Sequence, residues 1–404
     1  MLMKATKTNK RSLLIILAIV AIAILALAMF VGASRRADVD TAETESWLPN
    51  LAQQINQIDR ITMSKTGGEK LTLRRGEDYW HVVEKFEHRA DAGQIRKLLL
   101  AMSDARILEQ KTSNSEFFPR LGVQDVSAGD APGTQIELGN VSPSINVIIG
   151  DIARSGGGTY VRGVNEQKTF LIDQALTPSA NKLNWLDREV LDVVDSDIQS
   201  ITVTQVDGSK LQIAKADTEN DKFAVLNLPV DAKLQSESSA NAAASALTAM
   251  QFDEVQAFDA EKFSGKPVVA VYRLYDGRDI TASSWAMPAI DDEQQYLTRF
   301  EVALNEERAR QYQVSQELNK IPVDQQPFAD SDGVDTKAEL SINQESSNAA
   351  SVGDIDMATV DAAINQLAKE TQALNERLAP WVYKFPGYKQ AHLTRRLDEL
   401  LSNS

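Results

Sequence analysis

The chain contains no cysteine. Disulfide staples, thiol catalysis and every cysteine-based metal or iron–sulfur site are therefore excluded. Only three histidines occur in 404 residues, which leaves little material for imidazole ligation or triads. Basic residues are also short, at 42 Lys and Arg against 57 Asp and Glu. Six of them (Lys4, Lys7, Lys10, Arg11, Arg35 and Arg36) stand in the first 36 residues without an acid among them, so the remainder has 36 basic against 57 acidic residues. A body that acidic has no basic face to neutralise phosphates, which argues against nucleic acid as a partner. What is present suffices for a core: 43% hydrophobic and 25% charged residues describe a folding chain, and its length suits two domains.

One long apolar run stands out. Leu13–Ala33 carries no charge and at 1.5 Å rise per residue reaches roughly 30 Å, the thickness of a bilayer core. The basic cluster before it predicts a cytoplasmic N-terminus over residues 1–12, a transmembrane anchor over 13–33 and an outside body. In a bacterium this is the inner membrane, crossed by a single span, with the body periplasmic. The alternative is a cleaved signal peptide, since Val31-Gly32-Ala33 resembles a cleavage site, although the run exceeds the ~7–15 residues usual for one.

The rest is organised by self-similarity. Residues 57–73 and 197–213 align without gaps at an offset of 140, with six identities: Ile58/Ile198, Ile61/Ile201, Thr62/Thr202, Gly68/Gly208, Lys70/Lys210 and Leu71/Leu211. Each copy reads as two short alternating runs around a glycine turn, a hairpin pattern, followed by a third strand at Trp80–Val82 or Phe223–Val225. A helix comes next. Asp91 is its expected cap in the first copy and Ser239 in the second. Ile95, Leu98, Leu99 and Met102 form its apolar stripe, matched by Ala243, Ala246, Leu247 and Met250. More strands are expected at 134–138, 145–149, 159–162 and 169–172, and in the second copy at 268–275, 279–283, 296–300 and 381–385. The predicted fold class is α+β: an N-terminal transmembrane helix, then two repeated, mostly antiparallel sheet domains each with a packed helix, over residues 47–190 and 197–404.

The second copy contains an insertion at 301–378, expected to be part helical and part mobile. A polar helix is predicted over Glu301–Lys320, a mobile stretch over Pro322–Asp354, and a second helix from Asp356 to Leu378. In that helix Met357, Val360, Ile364, Leu367, Thr371, Leu374 and Leu378 follow a heptad, coiled-coil spacing. The stripe packs on its own domain in one reading and is a partner-docking helix in the other.

No motif points to catalysis. His81, His88 and His392 have no HxxxH spacing, and no G-x-S-x-G elbow accompanies them. Residues 155–159 (SGGGT) precede a strand rather than a helix and read as a hairpin turn; in Ser264-Gly265-Lys266-Pro267, proline replaces the metal-binding hydroxyl of a P-loop. The run from Asp330 fails the EF-hand pattern, with Asp335 where glycine and Ser341 where glutamate would stand. No catalytic residue, cofactor or metal is therefore expected. Trp381, Tyr383 and Phe385 alternate onto one strand face, a core pattern before a carbohydrate platform.

Ile61-Thr62 through Leu71-Thr72-Leu73, Tyr79-Trp80-His81-Val82, Ala90-Asp91 opening the Leu98-Leu99 helix, and Tyr160-Val161-Arg162 carry a resemblance. The chain resembles bacterial single-pass envelope proteins with tandem copies of a domain of unknown function, family 4340, over about residues 47–300 and 380–400. The resemblance implies an auxiliary component of a gliding-motility-type ABC transporter, with its permease and ATPase subunits as partners and no catalytic residues to carry over. The insertion at 301–378 departs from the tandem pattern. The expected function is a non-enzymatic accessory subunit that binds or positions a partner or cargo. The alternatives are an envelope hydrolase with carboxylates on the sheet rims and a structural spacer.

Overall fold

A computed structural model describes residues 45–154, 156–215, 222–236, 238–290, 293–320 and 356–402. The chain divides into two compact units, the first comprising the described residues up to Arg75 together with Gly93–Ala180, and the second Gly76–Ala92 together with the residues from Asn181 onward. Gly76–Ala92, which belongs to the first copy of the repeat by sequence, thus groups with the second unit.

The first unit is built on strands β1 (Arg60–Ser64) and β2 (Lys70–Arg75), then β5 (Ile107–Gln110), β6 (Thr134–Leu138), β7 (Ile145–Ile152), β8 (Thr159–Gly163) and β9 (Thr169–Ile172), with helix α1 (Ala92–Asp104). Its strand order is β2-β1-β6-β7-β8-β9-β5. Segment 76–92 supplies β3 (Trp80–Val82) and β4 (His88–Arg89) to the second unit. That unit continues with β10 (Glu189–Leu191), β11 (Ile198–Thr204), β12 (Lys210–Lys215), β13 (Phe223–Val225), helix α2 (Ser239–Ala244), β14 (Met250–Gln251) and β15 (Glu254–Ala257). It then adds β16 (Val268–Leu274), β17 (Arg278–Ile290), β18 (Glu293–Leu304), helices α3 (Glu306–Asn319) and α4 (Met357–Leu378), β19 (Trp381–Lys384) and helix α5 (Gly387–Leu393). Its main sheet runs β13-β12-β11-β16-β17-β18-β19-β15.

Apart from β13, the two orders correspond strand for strand, from β2 and β12 at one end to β5 and β15 at the other. The register repeats as well: Ile61 faces Leu73 and Met63 faces Leu71, while Ile201 faces Ile213 and Val203 faces Leu211. All eight of these side chains are buried. Alternation drives this, because every second residue of such a strand points to the same face. The hairpin turns demand left-handed backbone in both copies, supplied by Gly68 at φ +82° and Gly208 at φ +86°. Helix α1 buries its expected stripe; in the second copy Ala243, Ala246, Leu247 and Met250 are buried as well, but the expected helix is cut short, since α2 ends at Ala244, Ala246 and Leu247 fall in a 3-10 turn and Met250 opens β14.

Four expectations need correction. First, no helix among the described residues is long and apolar enough to cross a membrane. The reason is visible in their sequences: α1 carries Arg96 and Lys97, and α4 carries Lys369 and Glu370, so each keeps a charged face. The fold class is corrected to two mostly antiparallel sheet units with a few helices and no transmembrane helix shown; residues 1–12 and the run 13–33 lie outside the described residues, as do 321–355, where a mobile stretch was expected.

Second, the polar helix predicted from Glu301 starts at Glu306. Alternation holds β18 in the sheet to Leu304, with Val302 buried opposite Ile280, and the Asn305 side chain then caps the helix by accepting from the Arg308 N–H at 3.0 Å. Third, Ser239 is the first residue of α2 rather than its cap; Ser238 occupies the cap position without a side-chain bond. Fourth, β5, β10, β14 and β15 are additional strands of two to four residues, too short for alternation to be read.

Helix α4 lies along β18, with the Val302 N–H donating to Asn375 Oδ1 at 2.9 Å. Its residues Val360 and Ile364 pack against Val314 and Leu318 of α3. The heptad stripe is thus covered within the unit at Val360, Ile364, Thr371 and Leu378; Leu367 and Leu374 are half-buried and Met357 is exposed.

Candidate functional site: a cavity in the second unit

The second unit holds a cavity of about 750 Å³. Three pieces of chain build it: the β3–β4 segment with Asp78, Tyr79, Glu87, His88 and Arg89; the approach to β10 with Asp187 and Glu189; and the end of α4 running into β19. Glu370, Ala373, Leu374 and Arg377 of α4 are spaced i, i+3, i+4, i+7, so one helix face forms a wall. Glu376, Pro380, Trp381 and Tyr383 complete the lining.

The β3–β4 turn is under strain. Phe86 and Glu87 both adopt left-handed backbone, at φ 58° and 60°, without being glycine. The ring of His81 supports it, with Nδ1 at 2.7 Å from the Glu87 carbonyl. His88 then points inward and is only 6% exposed. Its ring meets Trp381, Phe252 and Tyr383 edge-on, with centroids 4.7, 5.3 and 6.3 Å away. Burial among these rings lowers its pKa to about 4, against the weaker pull of the Arg89 carbonyl and Asp187. The imidazole is therefore neutral at pH 7. Nδ1 lies 3.2 Å from the Arg89 carbonyl, and since a carbonyl only accepts, Nδ1 carries the proton. Burial likewise pushes the Tyr383 phenol upward.

Both arginines of the lining are engaged. Arg89 Nε pairs with Asp187 Oδ2 at 3.2 Å, while the Asp187 N–H donates to the Arg89 carbonyl at 3.0 Å. Arg377 donates to the carbonyls of Glu189 and Val190 at 3.1 and 2.8 Å, fastening α4 to β10. The lining contains six carboxylates against these two guanidinium groups, and no serine, threonine or lysine. Among the described residues no group of three or more His, Asp or Glu is placed to hold a metal.

Of the heptad stripe, only Leu374 reaches the cavity; Met357, Val360, Ile364, Leu367, Thr371 and Leu378 do not. Trp381 and Tyr383 line it, and Tyr383 and Phe385 are buried, as an aromatic core face requires. His392 lies elsewhere, beside Arg395, whose Nη2 is 3.1 Å from its Nδ1. Arg89, Asp187 and Arg377 had no sequence signal, because they come from three separate segments and share no motif.

Two buried cations outside the cavity are structural. Arg162, from the Tyr160-Val161-Arg162 motif, donates to the carbonyls of Val123 and Glu166 and to Asp125, with its guanidinium 4.7 Å from the Phe118 ring centre. Lys389 donates to the carbonyls of Ser245, Ala246 and Thr248 just beyond α2.

No curated protein and no solved structure matches the chain. Residues 80–272, which run from β3 to within β16, match the family model described as a domain of unknown function, DUF4340, in support of the family resemblance drawn from the sequence.

Proposed function

We propose that this protein is a non-enzymatic accessory subunit of an ABC-type, gliding-motility-like transport system, and that it binds or positions a partner or cargo through the cavity of its second unit. The observation that carries the binding role is that cavity: concave, walled by aromatic rings and hydrogen-bonding groups, yet lined by no hydroxyl or amine nucleophile apart from the phenols of Tyr79 and Tyr383. The transporter setting is what the family resemblance implies. A place at the bacterial inner membrane, body on the periplasmic side, draws on the uncharged run and basic flank of the first 36 residues. Affinity purification of the full-length protein from native membranes tests the reading. Recovery of a permease and an ATPase subunit is expected; recovery of neither would overturn it.

A second reading, a hydrolase, draws on Glu189, Glu370 and Glu376 around the same cavity. It predicts turnover of cell-wall glycan or peptide by the purified chain, abolished by one Glu→Gln substitution.

A further inference from the structure

We propose that the cavity of the second unit binds an organic cation, an alkylammonium or guanidinium group presented by a basic peptide segment or by a free polyamine. The inference rests on the binding role proposed above and specifies its ligand.

Charge is the first argument. Arg89 pairs through Nε with Asp187 and Arg377 is committed to two backbone carbonyls, so the six carboxylates of the lining outnumber two guanidinium groups that are already engaged. Among the described residues, Glu370 and Glu376 accept from the neutral amides of Gln366 and Gln372, each at 2.8 Å. Asp78 and Glu189 stand exposed on the same lining.

His88 supplies the second, independent argument. It is more than nine-tenths buried and lines the cavity. With Nδ1 donating to the Arg89 carbonyl, Nε2 presents a lone pair, and no described residue donates to it. A ligand N–H entering the cavity can donate to that lone pair. Aromatic faces complete the case, since the Trp381 indole in the wall attracts a cation and repels an anion. A volume of about 750 Å³ admits an arginine or lysine side chain with its adjoining backbone.

The test is calorimetric titration of the purified full-length chain with spermidine, with the tripeptide Gly-Arg-Gly and with citrate. Saturable binding of at least one cation, weakened by salt, is expected. The exposed pair of changes Glu370→Gln and Glu376→Gln should weaken it at least about threefold, and His88→Phe should weaken it in the same direction. Binding of the peptide alone identifies a peptide source, and binding of spermidine a free polyamine. Citrate binding in place of either cation, or cation binding unchanged by the double substitution, would overturn the assignment. Failure to bind any cation in a chain that still recovers permease and ATPase sinks this inference alone. Cation binding by a chain that recovers neither sinks the transporter reading alone.

Discussion

His88 and Trp381 meet edge to face, with ring centroids 4.7 Å apart and planes at 69°. One comes from the first copy of the repeat by sequence and the other from the strand that follows the insertion. Their contact joins the segment 76–92 to the closing strand of the second unit.

Burial makes His88 a source of acid sensitivity. The unfolded chain binds this proton near pH 6.5 and the folded chain only near 4, so between those values the unfolded state holds more protons. Stability from His88 is full above 6.5 and is lost as pH falls toward 4, by about 2 kcal/mol between pH 7 and 5. Urea unfolding at the two pH values should show this loss in the native chain and a smaller one in His88→Phe. An equal loss in both would assign the sensitivity to other groups.

Lys389 holds three carbonyls at once. Lys389→Met keeps the bulk of the side chain and strands those acceptors, and should cost about 2 kcal/mol in chemical denaturation. No measurable change would mean that water replaces the ammonium there.

Two glycines with positive φ should respond differently to alanine. At Gly208 a new Cβ meets nothing within 4 Å, so only the backbone conformation is penalised, by about 1 kcal/mol. At Gly277 the Cβ would stand 2.6 Å from the Ala309 nitrogen, inside helix α3. Gly277→Ala should therefore lower the melting temperature clearly more than Gly208→Ala; equal shifts would show that α3 yields easily.

The repeat can be tested by paired truncation. Ile61 and Ile201 occupy matching hairpin positions and are 0% and 1% exposed. Each change to alanine should cost about 3 kcal/mol, read by hydrogen exchange as lost protection in its own unit only. Loss spreading equally through both units would mean that they unfold as one.

Sequence reasoning reached the parts of this fold that are local and periodic. The hairpins around Gly68 and Gly208, the helix stripe at Ile95–Met102 and the strands at 134–138 and 169–172 follow from alternation, helical spacing and turn chemistry, all confined to a few neighbouring residues. It did not reach β5, β10, β14 and β15, whose pairing is set by distant partners such as Val255 opposite Tyr383. Nor did it reach the cavity. His88 looked like a residue ahead of a helix, and only tertiary structure sets it against Trp381 and near Arg377. The heptad stripe of α4 drew attention to one face of that helix, while the cavity is lined by another, sharing only Leu374.

The position of β19 has a consequence for biosynthesis. It pairs with β15 along Glu254–Ala257 and meets β18 at Thr298, so it fills a slot between strands made much earlier. On the ribosome those strands emerge and wait, with β15 offering unpaired main-chain groups to any passing neighbour. A nonsense mutation upstream of Trp381 would accordingly do more than clip a tail: it would leave an adhesive sheet edge and an incomplete cavity, and the nascent product would be a substrate for chaperones and proteases.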